Sequence, residues 1–597
     1  MTMSNNEGFF KVVFTTFVMR QIAKIPITIA VISILLFLYK VGFKDADYNS
    51  EIIRFVYILS LIIGSISIVT RYFFRDVRPR LLVIPLEIIL LVFYIILIFH
   101  HFKIVLSPIF DFLKHSFWLE LAIFLLFFRE LTALRVNFRR TFITPPQLFV
   151  FSFLSIIVFG GLLLMLPNAT YTGISVVDAF FTSTSAVCVT GLVVVDTGTF
   201  FTFFGQIIIL VLIQIGGIGI MTFASYFSYF FRGVSSYENQ IVLREMTNTE
   251  RLGEVFSVLK NIIGITFLIE AVGAVMIYYS LDTNQVPLLN DRIFFSAFHA
   301  VSGFCNAGFS TLQNSLYDGV FQFNYSLHLI IAGLIIFGGL GFPIIFNVLK
   351  LIRIKLVVFF VKIIGKKRKT YYPWILNVNS RIVLITTLVL IVVGTILFFI
   401  FEYNNTLSAH GFAGKIVTSF FASVTSRTAG FNTVDTAMLS LPAILIITFL
   451  MWIGASPGST GGGIKTTTFA VAFLNIINIA RGKVHLEVFK REIPGNSVNR
   501  AFAIIVLSIV VISLSVFFVS FFDSDKRLLD IGFECVSAYS TVGLSRGITA
   551  DLSIYSKWII IITMFIGRIS MLTVLIAFYK KVASDKLKYP TEDLLIN

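Results

Sequence analysis

Four short strings in this chain share one shape. Thr182 to Asp196 reads TSTSAVCVTGLVVVD, 302–311 reads SGFCNAGFST, 423–433 reads SVTSRTAGFNT and 537–545 reads SAYSTVGLS. Each sets a glycine behind small and hydroxylated residues: Gly191, Gly308, Gly430 and Gly543. The steps from 191 to 308 to 430 to 543 are 117, 122 and 113 residues, too regular for chance in a chain with 39 glycines. An internal repeat constrains architecture more than any local pattern, because each copy is one structural unit that buries itself against its neighbours.

The surroundings are apolar. Of 597 residues, 57% are hydrophobic and 13% charged, with a mean hydropathy of +0.93. A soluble chain carries about a quarter charged residues, so this one belongs in a bilayer. MTMSNNEGFFKVV has no basic start, apolar stretch and small-residue cleavage site, so no secretory signal is expected. The net charge of +16 comes from Lys and Arg between apolar runs, the positive-inside pattern of a multi-pass membrane protein, not a nucleic-acid binder. Cys188, Cys305 and Cys535 lie in or just before the repeated loops; they are too few for a disulfide framework and read as small packing residues.

Residues 1–144 hold four spans at about 26–42, 54–70, 82–100 and 116–130, each near bilayer length. Lys11, Arg20 and Lys24, RYFFRDVRPR at 71–80 and LRVNFRR at 134–140 mark the cytoplasmic side, which places both chain ends inside. With no copy of the glycine loop, this block reads as a separate transmembrane extension. Glu87 and Glu120 fall in its apolar runs, where carboxylates default to function, but near span ends a paired or snorkelling role is equally open. Its arginines show no voltage-sensor spacing.

Residues 145–597 form the core, with repeats at about 145–232, 255–352, 380–480 and 499–580. In each, an apolar run (149–166, 259–281, 382–401, 500–522) leads to a short one (177–188, 291–304, 413–426, 529–539). The glycine loop comes next, then a long apolar run (201–231, 325–352, 439–479, 557–579). The short runs cannot span and suit re-entrant helices. Irregular backbone at membrane depth is tolerated only inside protein or lining a cavity, so four such loops together would line a pathway. The basic links 353–381 and 481–500 and the tail YKKVASDKLK face the cytoplasm, which turns the loops outward; 232–255 is balanced and gives no direction. The expected fold is an all-α polytopic membrane protein, four tandem span–pore helix–span repeats around one pore, preceded by about four extra helices.

A cation shedding water needs a cage of oxygens. Backbone carbonyls supply one when successive peptides turn the same way, and glycine reaches the dihedrals required. The candidate filter is Val189-Thr190-Gly191, Asn306-Ala307-Gly308, Thr428-Ala429-Gly430 and Thr541-Val542-Gly543. Pore helices with their C-terminal ends toward the ion would add favourable partial charge, and Asp178, Asp291 and Asp530 are expected to cap three of their N-termini. The third unit departs, with His410-Gly411 and Lys415. A single Gly-Leu or Gly-Phe would be an ordinary packing residue; four at similar spacing favour a filter.

Two more features stand out. ASPGSTGGGIK at 455–465 interrupts an apolar run, and Pro457, Gly458, Gly461, Gly462 and Gly463 cannot sustain a helix, so the segment is a candidate gate. It is no phosphate loop: Lys465 comes one residue late, behind Ile464, and no strand precedes it. Arg568, central in IIIITMFIGRISMLTVLIAF, costs roughly 2.5–3.5 kcal/mol to insert and must be offset by pore water, a carbonyl or an acid such as Glu270.

The strings SAVCVTGL, LIQIGGIGIMTF (212–223), SRTAGFNT, GASPGSTGGGIKTTTF (454–469) and GRISMLTVL (567–575) resemble the Trk/Ktr/HKT family of potassium transporters over about 145–597, three quarters of the chain. The resemblance implies one pore within four linked units, an intramembrane loop beneath the filter, and an arginine (here Arg568) opposing cation passage. Relatives preferring sodium carry serine at the first glycine, so Gly191 implies potassium. It also implies potassium as cargo with no covalent cofactor, a bacterial inner-membrane location, a homodimer, and a cytoplasmic nucleotide-binding (RCK-type) regulatory subunit in trans. A sodium-permeable or ion-coupled secondary transporter of the same superfamily is the alternative; broken helices also mark secondary transporters of small solutes, but four repeats in one orientation, not two inverted halves, count against that. No H-E-x-x-H or G-x-S-x-G string supports an enzyme.

Overall fold

The computed structural model describes residues 25–43, 50–73, 83–102, 116–133, 145–219, 255–281, 289–363, 376–483 and 485–579. The described residues are overwhelmingly helical, apart from a hairpin pairing Glu487–Val488 with Arg491–Glu492. Six of the helices are long and apolar enough to cross a membrane, or eight if each of two sharply bent pairs is one span. Most of the basic segments that orient the chain, including Lys11, Arg20, Lys24, residues 134–140 and the tail, lie outside the described residues.

The first four helices are Ile25–Gly42, Ser50–Phe73, Val83–His101 and Ser116–Ala133. They close around Tyr57, Leu61, Tyr94 and Leu126. Three of their carboxylates are paired. Glu120 meets Lys40 at 2.8 Å, and Glu87 lies 3.7 Å from Arg129, which also bonds Glu130. Breaking the buried Arg129 pairs would strand a charge, whereas the intact pairs are close to neutral in energy. Asn168 of the first repeat ties this block to the core, donating to the carbonyls of Val41 and Gly42 at 2.8 and 2.9 Å.

Four units of outer helix, short helix and returning helix follow. Their outer helices are Pro145–Leu164, Val255–Ser280, Val378–Glu402 and Gly495–Phe522. The short helices are Val176–Val187, Leu289–Cys305, Phe412–Thr425 and Leu528–Ser540. Returning helices are Phe203–Ile218, Tyr325–Leu340, Leu441–Trp452 and Ile554–Ile569. Each returning helix packs on the pore helix of the next unit, and that of the fourth packs on the first, so the ring closes. Glycine lets backbones touch within a unit: a Cβ at Gly216, Gly338 or Gly567 would lie on the carbonyl of Val187, Phe304 or Tyr539.

Three long runs expected to be continuous are not. The first returning helix ends at Gly219 (φ 87°); the second turns by 106° at Gly341 (φ 84°) into Phe342–Ile363. The fourth turns by 87° at Ser570 (φ 77°) into Met571–Phe578. Apolar residues flank each break, so hydropathy hides it; only backbone dihedrals show it. Where the third unit breaks, at 453–465, proline and glycine make the break visible in sequence, and Thr466–Ala480 resumes the helix.

Candidate ion pathway

Each short helix ends where its candidate filter string begins, and a hydroxyl from its last turns ties the loop back. Ser185 Oγ accepts from Gly191 N at 3.0 Å, and Ser537 Oγ from Gly543 N at 3.1 Å. In the other two units the hydroxyl donates instead: Ser302 to the Phe309 carbonyl and Thr425 to that of Phe431, each at 2.7 Å. The hydroxylated residues are plain in the sequence, but this work for them is not. A serine six positions before Gly191, Gly308 and Gly543 is the available signal.

The backbone then alternates. Val189, Asn306, Thr428 and Thr541 have φ of 57°, 60°, 104° and 49°, and the glycines two residues on have 87°, 70°, 80° and 92°. Positive φ at every second residue, with an ordinary residue between, keeps carbonyls from alternating as they would in a strand. A Cβ on Gly191 would strike the Ala307 carbonyl; on Gly308, that of Ala429; on Gly430, that of Val542; on Gly543, that of Thr190. Every glycine therefore abuts the carbonyl preceding the next unit's glycine, and the four contacts run once around an axis. All twelve candidate filter residues lie in this ring. Above it opens a cavity of about 310 Å³, lined by the four glycines together with Asp196, Asp435 and Arg546.

The helix starts differ from expectation. Ser175, not Asp178, caps the first pore helix, accepting from Asp178 N at 3.1 Å. The Asp178 carboxylate meets Lys557 of the fourth unit at 2.8 Å. Asp530 pairs with Arg546 at 2.5 Å, and Asp291 occupies the first turn of its helix. First-turn acids still favour the helix N-terminus electrostatically, but the Asp178 carboxylate bonds Lys557 and the Ser175 hydroxyl and that of Asp530 bonds Arg546, not the free N–H groups. In the third unit Gly411 holds the cap position with no side-chain bond, and Lys415 donates to the Tyr403 carbonyl at 2.7 Å. Two buried acids carry no signal in the sequence. Glu534 accepts from Ser545, Arg546 N and Thr549 behind the fourth loop, and Glu402 accepts from Asn405, Thr406 and Ser440.

The candidate gate residues gather on the other side of the ring. Ser456 N and Thr460 N donate to the Gly339 and Gly338 carbonyls of the second unit. Gly462 N donates to Thr541 Oγ1 at 3.0 Å. Cβ atoms on Gly461 and Gly462 would strike Thr428 and Thr541, and Gly463 faces Ser540. Gly458 packs on Pro343, and Lys465 Nζ donates to the Gly461 carbonyl at 2.6 Å. The segment therefore lies against the inner end of the ring. Arg568 donates to the Thr460 carbonyl of this segment and, at 2.6 Å, to that of Gly216. Glu270, the acid weighed as its partner, is engaged elsewhere: it accepts from Gln214 Nε2 at 3.1 and 3.0 Å, with Cys305 Sγ 3.8 Å away.

A closed ring of four like units, with irregular backbone meeting on its axis, defines a multi-pass membrane protein built around a single pathway. The chain belongs to the TrkH family, described as "Cation transport protein", whose profile matches residues 114–589. That match takes in the helix Ser116–Ala133 as well as all four repeats. The chain is 38% identical over 455 residues to Ktr system potassium uptake protein B of Vibrio alginolyticus, covering 75% of this chain and 94% of that protein. It is 36% identical over 464 residues to potassium/sodium uptake protein NtpJ of Enterococcus hirae, covering 76% and 97%. The crystal structure of the potassium transporter TrkH from Vibrio parahaemolyticus has the same fold, with a TM-score of 0.59 over 93% of this chain and 99% of that one at 16% identity. This is a family of transporters, in keeping with a chain that is not an enzyme.

Proposed function

We propose that the protein takes up potassium across the bacterial inner membrane through one pore, selected by the four glycine loops and gated by residues 453–465. The observation that carries this reading is the ring in which Gly191, Gly308, Gly430 and Gly543 each abut the next unit's carbonyl. Oxygens fixed around an axis can replace a cation's hydration shell. Potassium is favoured by glycine at all four positions and by the name of the Vibrio alginolyticus relative. The Enterococcus hirae relative's name supports sodium permeation as the second reading.

Residues 145–597 act as the core in this reading and 1–144 as an extension, with both chain ends cytoplasmic. The protein works as a homodimer with a nucleotide-binding regulatory subunit supplied in trans. Potassium is cargo, and no covalent cofactor takes part. Binding isotherms for potassium and sodium on purified protein, with flux into liposomes, test the reading. Tighter potassium binding with potassium-selective flux supports it; equal binding of the two ions transfers support to the sodium-permeable reading.

A further inference from the structure

The segment 453–465 is anchored mostly through main-chain groups, its Gly458 carbonyl accepting from Phe342 N and its Gly454 carbonyl from Arg427. Its bonds at Gly338, Gly339 and Phe304, and the Arg568 bridge from Thr460 to Gly216, use main-chain carbonyls in or just after helices of the first and second units. One bond is different: Gly462 N donates to Thr541 Oγ1, and Thr541 is itself a residue of the ring, with a left-handed φ of 49°. Beside it, the amide of Asn306 lies 2.9 Å from Thr428 Oγ1. The orientation satisfying both its ends has Asn306 donating to the Ile335 and Gly303 carbonyls and accepting from Thr428. Thr428 thus spends its proton within the ring, and among the described residues it is Thr541 whose hydroxyl accepts an N–H of the segment. At the fourth equivalent position, Val189 has no hydroxyl to offer.

Space is contested at the same point. A Cβ on Gly461 or Gly462 would strike the hydroxyls of Thr428 and Thr541, so the segment's backbone already fills the volume directly inside the ring. A cation arriving there needs that volume and needs oxygen ligands. A threonine hydroxyl oxygen can accept from an N–H or coordinate a cation.

We propose that Thr541 is a positioning residue that couples cation occupancy of the inner end of the ring to the position of residues 453–465. With no cation at that level, Oγ1 holds Gly462 N and the segment stays against the ring. A cation entering from above draws Oγ1 toward itself, and the stretch around Gly462 is released while the part held at Ser456 and Thr460 stays fixed. The fourth unit thus reports occupancy and the third unit moves. This rests on the filter-and-gate reading and adds the residue that links its two parts.

Hydrogen exchange of the peptide covering 454–465, in full-length protein in detergent or nanodiscs, tests it with potassium against N-methylglucamine as the only cation. In the unsubstituted protein exchange rises with potassium. In Thr541→Val, which keeps shape but loses the hydroxyl, exchange without potassium is already raised about three- to tenfold, the worth of one hydrogen bond, and potassium adds little. Thr541→Ser retains the potassium response. If Thr541→Val folds poorly, Gly462→Ala serves instead, since its Cβ drives the two groups apart and gives the same raised, potassium-independent exchange. Thr541→Val or Gly462→Ala keeping the full potassium response overturns the coupling. Failure of the underlying reading looks different: potassium then protects neither the peptide covering 188–192 nor any other filter string in the unsubstituted protein.

Discussion

Arg568 in the fourth unit donates a hydrogen bond to the carbonyl of Thr460 in the third, crossing beneath the ring. Its second bond goes to Gly216 in the first unit. The guanidinium is thus held by neutral acceptors, and no carboxylate among the described residues pairs with it. Removing it leaves carbonyls without a donor, which costs about 1–3 kcal/mol, less than stranding a buried charge. Arg568→Ala is expected to raise cation flux in liposomes with little change in ion preference. Arg568→Lys should lie nearer the unsubstituted protein, since it keeps the charge but not the forked geometry. Adding Glu270→Gln should rescue nothing, because Glu270 bonds elsewhere; rescue in that double variant would refute the assignment.

Gly191→Ser is expected to lower potassium preference over sodium in a folded protein. The backbone there has φ 87°, and the new Cβ meets the Ala307 carbonyl of the next unit, so that carbonyl must turn. Complementation of a potassium-uptake-deficient host, with sodium titrated in, reads the change. Unaltered sodium sensitivity at normal expression removes Gly191 from the filter.

The hydroxyl ties behind the loops give a graded test. Ser185→Ala removes the acceptor of Gly191 N, a bond worth about 1 kcal/mol. The expected result is a small fall in thermal stability with a measurable loss of selectivity. Ser537→Ala should behave alike, because it does the same for Gly543. A stability loss with selectivity intact in both would make the hydroxyls plain helix-packing groups.

Glu270 and Gln214 join the first two units through one amide that reaches both carboxyl oxygens. Glu270→Gln keeps the shape and an acceptor, and should be nearly silent in flux. Glu270→Leu strands the Gln214 amide and should lower stability by about 1–3 kcal/mol. Thermal unfolding of the purified variants decides it; a silent leucine variant would mean the amide finds another partner.

Much of this is legible in sequence for a physical reason. Repetition of Gly191, Gly308, Gly430 and Gly543 is a one-dimensional record of a ring, and short apolar runs between long ones record re-entrant helices. The break at 455–465 shows because proline and glycine are poor helix formers. The turn at Ser570 does not show, since a serine amid apolar residues carries no local mark of a positive φ. Nor do the partners of Arg568: backbone carbonyls have no letter in a sequence, so the search for an offsetting group is drawn to Glu270. Asp178 and Asp530 look like caps in sequence because their true partners, Lys557 and Arg546, are set by the closed ring and not by their neighbours in the chain.

Because the four sides of the ring belong to one polypeptide, each can be altered alone. In a pore assembled from four identical chains, one substitution changes every wall at once and multiplies its energetic effect. Here the equivalent places hold a valine, an asparagine and two threonines, Val189, Asn306, Thr428 and Thr541, an inequality such an assembly could not encode. Single-site variants in this ring should shift its properties in small steps, and a graded series from mild to severe becomes accessible to random mutation.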